Sequence, residues 1–396
     1  MLKIQKKDGS IEAFSSQKIV SAIRKSANRA MYDLSDEQCR RVVDLTLAHL
    51  AEHGGDVAPV ANVHNAVERA LDDVAPDVAK CYRDYRNYKQ DFVHMLDDVY
   101  RKSQAIRYIG DRNNANTDSA LVPTQRSLIY NELSSALYKK FFLNREEREA
   151  MKDGYIYIHD RSARLDTMNC CLFDMENVLT GGFEMGNVWY NEPKTLDVAF
   201  DVISDVAISA AACQYGGFTI PEVDKILAPY AEKSYQKYFE EYTEIAVYNN
   251  LGDHEDVLTA ADEYATKKVQ RDMEQGFQSW EYRFNTVGSS RGDYPFIAVS
   301  FGLDNSRFGR MASMTCMNVR AGGQGAAGHK KPVLFPKLTF LYDEELHGEG
   351  KPMEDVFECG VDCSTKAMYP DFLSLTGEGY IPSMYKKYGR VVSLMG

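Results

Sequence analysis

Residues 154–187 read "GYIYIHDRSARLDTMNCCLFDMENVLTGGFEMGN" and contain two short strand-like runs, the second of which holds two neighbouring cysteines. The runs are 155–159, "YIYIH", and 169–174, "NCCLFD". Two more strand candidates, 295–301 "PFIAVSF" and 332–341 "PVLFPKLTFL", follow long helical segments. Strands that alternate with long helices are typical of an α/β domain, so the sequence predicts a barrel or an open sheet.

The helices of this region are predicted from their length and the spacing of their apolar residues. They are residues 195–213, 221–246, 254–281, 304–319 and 353–367. Residues 320–331, "RAGGQGAAGHKK", are rich in glycine. No lysine–serine pair follows them, so they do not match a phosphate-binding P-loop, and we expect a flexible connection there.

The composition narrows the class of protein. The 396 residues allow two or three domains, and the charged fraction of 26% is typical of globular proteins. The net charge of −12 argues against a general nucleic-acid binder and against a protein of the membrane surface. No apolar run has the length of a membrane-spanning helix, and the lysine-rich N-terminus lacks the apolar core of a signal peptide. We therefore expect a cytoplasmic protein whose thiols stay reduced, with no nucleic-acid partner and no membrane partner.

Eight cysteines are spread along the chain without a CxxC pair. The run "CGVDC" at 359–363 puts two sulfurs one helical turn apart, which favours ordinary helix packing, and we expect no metal site in this chain. Cys170 and Cys171 leave four interpretations open: buried filler, half of a metal site, a disulfide, or redox chemistry. A disulfide between adjacent residues needs a strained geometry, and the reducing cytoplasm disfavours it.

The first 92 residues form a separate predicted module. Residues 3–14 alternate apolar and polar side chains around an Asp8-Gly9 turn, which predicts a β-hairpin. The helices predicted after the hairpin are residues 16–30, 35–55, 60–74 and 78–92. We place a linker at 93–120 and a second domain at 121–396.

Three lysines meet where the predicted hairpin joins the first helix. Lys6, Lys7 and Lys18, together with the N-terminus of that helix, are suited to hold a polyphosphate. Glu12 or the Ser15 hydroxyl would then hydrogen-bond a base or a ribose. The alternative interpretation is a solvated, lysine-rich hairpin without a ligand.

The order of features over residues 3–90 resembles the ATP-cone, the regulatory nucleotide-binding domain of ribonucleotide reductases. The resemblance rests on "K-x-D-G-x-x-x-x-F-x-x-x-K-I", on "VHNAVERAL" and on "VAKCYRDYRNYK". It implies that ATP or dATP binds here and sets overall activity. The matching positions are Lys6, Lys7, Glu12, Ser15 and Lys18, with His64 on the third helix. Because ATP-cones also occur on a transcriptional repressor, the cone alone does not specify an enzyme.

From about residue 105 to the end, the chain resembles the anaerobic (class III) ribonucleoside-triphosphate reductases, which are glycyl-radical enzymes. The motifs are residues 154–187, "ACQYGGFTIPEVDKILAPY", "NNAN" at 113–116, "SSRGDYPF" and "LFPKLTF". The resemblance implies a ten-stranded α/β barrel built of two antiparallel halves of parallel strands. The implied reaction replaces the ribose 2′-OH of a ribonucleoside triphosphate with hydrogen, for DNA precursor synthesis.

The resemblance assigns roles to residues of this chain. The cysteine after Asn169 matches the second active-site thiol, which supplies hydrogen to the ribose, so Cys170 takes that role. Met395 matches an active-site methionine. Apart from the resemblance, the position of His159 at the end of a predicted strand, and the hydroxyls and guanidinium of Ser289, Ser290 and Arg291, indicate substrate-binding residues. The alternatives are a structural hydrogen bond between His159 and Asp160 and a plain loop with a salt bridge at 289–292. If Cys170 faces the barrel interior, strand alternation places Cys171 outward against a helix, and Asn169 on the side of Cys171.

The family also implies partners and cofactors. Formate is the usual reductant, a radical-SAM enzyme installs the radical, and a glycyl radical and a structural zinc site belong to the C-terminal part of the protein. A homodimer is implied, with higher oligomers under dATP. The helix at 195–213, with its small residues "AISAAAC", lies in a region that the family places at the dimer interface.

The chain departs from the family at its end, "GRVVSLMG". In the family a cysteine that becomes the thiyl radical follows "MG" directly, and the radical glycine and zinc site come later. We therefore expect this chain alone to be inactive. Two alternatives remain: a different glycyl-radical enzyme such as a formate-lyase relative, and a non-catalytic ATP- or dATP-binding regulator or remnant.

Overall fold

The structure, a computed structural model, describes residues 2–52, 55–106, 121–164, 168–214, 216–286, 288, 294 and 296–389. The chain divides into two compact units, Met1–Arg101 and Lys102–Gly396. Over the described ranges, no helix is both long and apolar enough to cross a membrane.

The first unit combines a small sheet with a helical bundle. Its strands are β1 (Lys3–Gln5), β2 (Ile11–Ala13) and β3 (Val57–Pro59), and its helices are α1 (Ser16–Arg29), α2 (Asp36–Ala51), α3 (Val60–Val74) and the start of α4 (Pro76–Ile106). β1 pairs antiparallel with β2, which confirms the predicted hairpin, and parallel with β3, which was not predicted. The apolar faces of the four helices meet in one core around Ile23, Val42, Leu71 and Val78.

Local interactions explain the ends of these elements. Gly9 takes the left-handed backbone conformation that the hairpin turn requires, with a φ of 84°. The Asp8 carboxylate accepts hydrogen bonds from the backbone N–H and the hydroxyl of Ser10. At α2, Ser35 and Gln38 cap one another's backbone N–H groups in a capping box.

α4 is twice as long as predicted. It runs for 31 residues to Ile106, whereas the sequence predicts an end at residue 92. No proline or glycine occurs between Asp77 and Ile106, so nothing in the sequence stops the helix. The first part of the predicted linker 93–120 is therefore helical, and residues 107–120 lie outside the described residues.

The second unit alternates strands and helices. Its strands are β4 (Cys171–Leu172), β5 (Phe183–Met185), β6 (Val188–Tyr190), β7 (Phe218–Ile220), β8 (Ile297–Phe301), β9 (Lys337–Tyr342) and β10 (Asp371–Ser374). Its further helices are α5 (Val122–Phe141), α6 (Arg145–Lys152), α7 (Met175–Leu179), α8 (Leu196–Ala212), α9 (Val223–Tyr248), α10 (His254–Thr286), α11 (Arg307–Gly322), α12 (Glu344–His347), α13 (Glu354–Ala367) and α14 (Tyr380–Tyr388).

Five strands form one parallel sheet in the order β10-β9-β8-β7-β4. Each strand pairs with the one that precedes it along this series, while β5 and β6 form a separate antiparallel hairpin. The predicted α/β class is thus confirmed. A five-stranded parallel sheet is consistent with part of the α/β barrel that the resemblance implies.

The two faces of the sheet differ in chemistry. One face carries Phe218, Ile220, Val299 and Phe340, which are buried against α8, α9, α10, α11 and α13. Trp280 of α10 lies at the centre of this core, where it meets the rings of Phe200, Phe277 and Phe284. Because strand residues alternate, Thr219, Ser300 and Thr339 point to the opposite, more polar face.

Two predictions about local structure are wrong. Residues 155–158 are not a strand: they are irregular, and Tyr155 and Tyr157 are 84% and 82% exposed. Their alternating pattern suits a strand, but no described strand pairs with them. Residues 320–331 are not a loose connection, because α11 continues to Gly322 and the backbones of Gln324 and Lys331 form an antiparallel bridge.

Candidate functional site

Cys170 directly precedes β4 and is exposed, although its thiol is closely surrounded. The backbone N–H of Gly217, just before β7, points at Cys170 Sγ at 3.4 Å. Gly216 is packed even more tightly: a Cβ atom there would lie 2.5 Å from Cys170 Sγ and 2.7 Å from Asn169 Oδ1. Only glycine fits this approach, so the two chain segments together fix the position of the thiol.

Cys171 has a different environment from its neighbour. It packs against the core, and its thiol donates a hydrogen bond of 3.0 Å to Gln214 Oε1. Gln214 is itself buried, and its amide donates to the Gly217 carbonyl at 2.6 Å. Burial raises the pKa of the Cys171 thiol, so this cysteine stays protonated at neutral pH. The two adjacent thiols therefore differ in exposure and in chemistry.

Asn169 does not follow the predicted alternation. The sequence places it on the side of Cys171, whereas its side-chain oxygen and Cys170 Sγ both lie within 2.7 Å of the Cβ position of residue 216. The reason is that the regular strand begins only at Cys171, so residue 169 is not bound by the pleat. Asn169 thus joins Cys170 as part of the same candidate site.

A buried clamp fixes the backbone at the carboxyl end of β8. Asp224, in the first turn of α9, accepts hydrogen bonds through Oδ2 from the backbone N–H groups of Gly302 at 2.9 Å and Asp304 at 3.1 Å. His347 Nε2 donates to the Gly302 carbonyl at 2.8 Å, and His347 Nδ1 lies 3.0 Å from the Asp343 N–H. Gly302 is therefore held from both sides by buried polar groups.

The protonation of this clamp follows from burial. Asp224 is fully buried, and desolvation raises the pKa of its carboxyl from 3.8 to about 6 in spite of the hydrogen bonds it accepts. Its second oxygen, Oδ1, has no partner. Burial lowers the pKa of His347, so the imidazole is neutral and carries its proton on Nε2. Neither residue is signalled by a local pattern, because their partners around Gly302 are distant in the sequence.

A buried ion pair supports the start of β9. Arg320 of α11 and Glu281 of α10 are almost fully buried, and Arg320 Nε lies 2.6 Å from Glu281 Oε1. Arg320 also donates to the Pro336 carbonyl at 2.7 Å, and Gln324 donates to Glu281 Oε2 at 2.5 Å. This network anchors the glycine-rich segment after α11, which explains why that segment is ordered.

Of the other predicted site residues of the second unit, His159 lies within the described residues. His159 is 75% exposed, its Nδ1 contacts the carboxylate of Asp160, and it stacks edge-on with Tyr157. No contact joins His159 to Cys170 among the residues that the structure describes. Ser289, Ser290, Arg291 and Met395 lie outside the described residues.

In the first unit the structure brings Lys6, Glu12 and Lys18 together. Glu12 Oε2 lies 2.9 Å from Lys6 Nζ, and Glu12 Oε1 lies 2.8 Å from Lys18 Nζ. The two lysines lower the pKa of the Glu12 carboxyl, chiefly through the hydrogen bond from Lys18. Glu12, which the sequence assigns to a base or a ribose, thus has both oxygens occupied by lysines.

Ser15 and His64 border this cluster in different ways. Ser15 is the N-cap residue of α1, yet its side chain makes no capping bond, and the first turn of α1 contains no acidic residue. His64 Nδ1 lies 2.7 Å from the Tyr82 hydroxyl. Burial, and after it the charges of Arg86 and Lys7, lower the pKa of His64. Tyr82 was missed by sequence reasoning, since a tyrosine on a long helix is ordinarily a packing residue.

A separate cavity of about 330 Å³ lies between α2 and α3. None of the predicted nucleotide-binding residues lines it. Its polar lining residues are His49, Asn62, Asn65, Glu68 and Arg69.

The described residues include no cluster of three or more cysteine, histidine, aspartate or glutamate side chains suited to a metal ion. Around Cys170 the described residues offer an exposed thiol flanked by an amide side chain and a backbone N–H group. The first unit offers ammonium groups, a hydroxyl and helix N–H groups, which are the donors that phosphates use.

Comparison with known proteins identifies two regions of the chain. Residues 2–91 match the model of the ATP cone domain. Residues 113–396 match the model of the family "Anaerobic ribonucleoside-triphosphate reductase". The second match alone covers more than half of the chain.

Curated relatives agree with this result. The chain is similar to the anaerobic ribonucleoside-triphosphate reductase of Haemophilus influenzae, with 31% identity over 93% of this chain and 51% of the relative. The Escherichia coli protein of the same name is 30% identical over 94% of this chain and 51% of its own length. That of Enterobacteria phage T4 is 33% identical over 66% of this chain and 41% of its own length. The chain thus spans about half the length of these relatives.

Solved structures of the same description are more distant. The anaerobic ribonucleotide reductase of Thermotoga maritima in complex with dATP and CTP matches with a TM-score of 0.42 and 14% identity, over 73% of this chain and 49% of that one. The two family-model matches and the curated relatives give the assignment: the chain belongs to the anaerobic ribonucleoside-triphosphate reductase family.

Proposed function

We propose that this chain supplies the nucleotide-binding cone and the thiol-bearing half of an enzyme that reduces ribonucleoside triphosphates to 2′-deoxyribonucleoside triphosphates. The observation that carries the proposal is the exposed Cys170 thiol, held by Gly216 and Gly217 beside Asn169. An inert cysteine is ordinarily buried, as Cys171 partly is, and needs no such close backbone approach.

Hydrogen donation is the role proposed for Cys170. Loss of a 2′-OH from a ribose is hard for polar chemistry, and a radical at C3′ makes its departure as water accessible. An exposed thiol on the opposite face of the ribose then supplies a hydrogen atom. In this proposal Asn169, which lies beside Cys170, hydrogen-bonds a ribose hydroxyl, and the Gly217 N–H stays directed at the sulfur that gives up the hydrogen atom.

The wider features of the enzyme are proposals of the same kind. They comprise a cone at 1–92, a linker at 93–120, a barrel domain from 121, a cytoplasmic location and a homodimer with higher oligomers under dATP. A radical-SAM activating enzyme, a glycyl radical, a structural zinc ion and formate as reductant belong to the same reaction. No residue of this chain is assigned to the zinc ion or to the glycyl radical.

The test compares the two neighbouring cysteines. The reading frame that encodes this chain, with the coding sequence that follows codon 396, is expressed anaerobically with its activating enzyme. Formation of dCTP from CTP and formate is then measured for wild type, Cys170→Ser and Cys171→Ser. Wild type and Cys171→Ser are expected to form dCTP, since serine keeps the bond to Gln214, whereas Cys170→Ser is expected to form none. Equal activity of the two variants would contradict the role of Cys170.

The regulatory half of the proposal concerns ATP and dATP. Lys6, Lys7 and Lys18, the uncapped first turn of α1 and the nearby imidazole of His64 support it. Calorimetric titration of the full chain with ATP or dATP is the direct measurement, with binding lost when Lys6 and Lys18 are both changed to alanine. Nucleotide binding that survives the double change would place the site elsewhere, the cavity between α2 and α3 being the next candidate.

A further inference from the structure

The proposed nucleotide site contains its own anion. Lys6 follows β1, Lys18 lies in the first turn of α1, and Glu12 of β2 spans the gap between them. Each oxygen of its carboxylate contacts one ammonium group, at 2.9 Å and 2.8 Å. Two cations bridged by two oxygens of one anion is the arrangement in which lysines also hold a phosphate group.

The neighbouring charged residues Asp8 and Lys7 interact with groups outside this cluster. The Asp8 carboxylate is occupied inside the hairpin turn by Ser10. The charge of Lys7 acts on His64, where it adds to burial and to the charge of Arg86 in lowering the pKa of the imidazole. Among the described residues near the start of α1, Glu12 is therefore the carboxylate that neutralises the phosphate-binding lysines.

The donors for an external anion are nevertheless in place. The N–H groups in the first turn of α1 lack a side-chain cap, because the Ser15 hydroxyl does not bond to them. The positive end of the helix dipole favours an anion at this position, and the first turn supplies no acidic residue of its own. An incoming phosphate thus finds N–H groups ready but both lysines occupied.

We propose that Glu12 is a built-in competitor for phosphate, which holds Lys6 and Lys18 in the nucleotide-free protein and leaves them when a polyphosphate binds. This inference rests on the proposed nucleotide-binding function of the cone and concerns the regulation of the same site. A ligand phosphate binds Lys6 and Lys18 only when it displaces the Glu12 carboxylate from them. The exchange favours ligands with several phosphate groups over a monophosphate, which brings little more charge than the carboxylate it displaces.

The size of the effect is modest because the cluster is exposed. Lys6, Lys18 and Glu12 are 44%, 65% and 32% exposed, so water screens both contacts. Exposed ion pairs of this kind change an equilibrium by about fivefold at most. Removal of the Glu12 charge is therefore expected to tighten polyphosphate binding by about fivefold at low salt, with the gain shrinking as salt screens it.

Inorganic tripolyphosphate is the probe, since it has neither base nor ribose. The full chain is titrated calorimetrically with tripolyphosphate at low ionic strength, as wild type, as Glu12→Gln and as Glu149→Gln. Glu149 pairs with Arg145 at 2.8 Å in the second unit and is also exposed, so its change alters net charge equally. Circular dichroism checks that the three proteins have the same helical content.

Glu12→Gln is expected to bind tripolyphosphate about fivefold more tightly than wild type, and Glu149→Gln to bind like wild type. Unchanged or weaker binding by Glu12→Gln overturns the inference, as does equal tightening by Glu149→Gln, which would reveal a mere effect of net charge. Titration of wild type with ATP tests the nucleotide-binding function separately from the role of Glu12. Suppose that Glu12→Gln binds tripolyphosphate more tightly but wild type does not bind ATP. Glu12 would then compete with phosphate as proposed, while the proposed nucleotide-binding function would be refuted.

Discussion

Replacement of Asp224 by asparagine is expected to make the second unit more stable at neutral pH. Asp224 is fully buried, and Oδ2 accepts two backbone N–H bonds while Oδ1 has no partner. Asparagine keeps the acceptor and has nearly the same shape. Its amide nitrogen takes the position of the unpartnered oxygen, so the main change is the loss of a buried charge.

The magnitude follows from the pKa shift. Burial raises the pKa of Asp224 from 3.8 to about 6. Because the folded pKa lies above the unfolded one, the favourable contribution of the neutral carboxyl is complete below pH 3.8 and is lost as the pH rises through 6. A shift of this size corresponds to about 3 kcal/mol of unfolding free energy above pH 7. Because this contribution is incomplete at pH 4, the free-energy difference between Asp224→Asn and wild type should grow by about 2 kcal/mol from pH 4 to pH 8.

Tryptophan fluorescence provides the assay. Both tryptophans of the chain, Trp189 and Trp280, lie in the second unit, and Trp280 is fully buried in its core. Urea unfolding monitored at their emission therefore reports this unit alone. Unfolding curves of wild type and Asp224→Asn are compared at several pH values between 4 and 8, with the exposed Asp205→Asn as the matched control.

The pH dependence of the difference is the decisive quantity, since groups common to both proteins cancel. Asp304 and His347 lie near the same backbone, but both are present in the variant. A difference that stays constant across the pH range would show that Asp224 does not change its charge there, and the argument from burial would fail. Asp205→Asn should give a difference near zero at every pH.

Two further substitutions probe the site and its support. Gly216→Ala places a Cβ atom 2.5 Å from Cys170 Sγ. The unfolding free energy should therefore fall by about 1–3 kcal/mol, and the rate of Cys170 alkylation should change. Unchanged stability and an unchanged alkylation rate would refute the close packing. Arg320→Met leaves the buried Glu281 carboxylate without its ion-pair partner. The unfolding free energy measured by fluorescence should therefore fall by about 3–5 kcal/mol. A loss below about 1 kcal/mol would show that water reaches the pair.

Much of the fold was predictable because periodic spacing of apolar residues signals its helices and its hairpin. The hairpin at 3–14, the helices α8 to α11 and the helix α13 follow apolar spacing and turn residues that act locally. β7 and β10 were missed because three or four residues are too few to establish a period. The run at 155–159 failed for the opposite reason, since a pattern that suits a strand forms one only when a partner strand is present.

The candidate site was only partly predictable. Cys170 was assigned from a motif, and its role stays a prediction. The two neighbouring thiols do differ in exposure, since Cys170 is exposed and Cys171 packs against the core. The clamp on Gly302 and the approach of Gly216 depend on segments that are distant in sequence, so no local pattern signals them. The pairing of Glu12 was likewise missed, because a motif names the residues of a site without saying which of them neutralise one another in the absence of ligand.

The order of the large sheet has a consequence for synthesis of the protein. β4, β7, β8, β9 and β10 pair in the same order in which they leave the ribosome. Each new strand finds its partner already present, and the helix that connects the two is complete before the second strand emerges. No strand must wait for, or be inserted between, later ones. The described sheet can therefore grow at one edge during translation, while β4 stays at the other edge throughout.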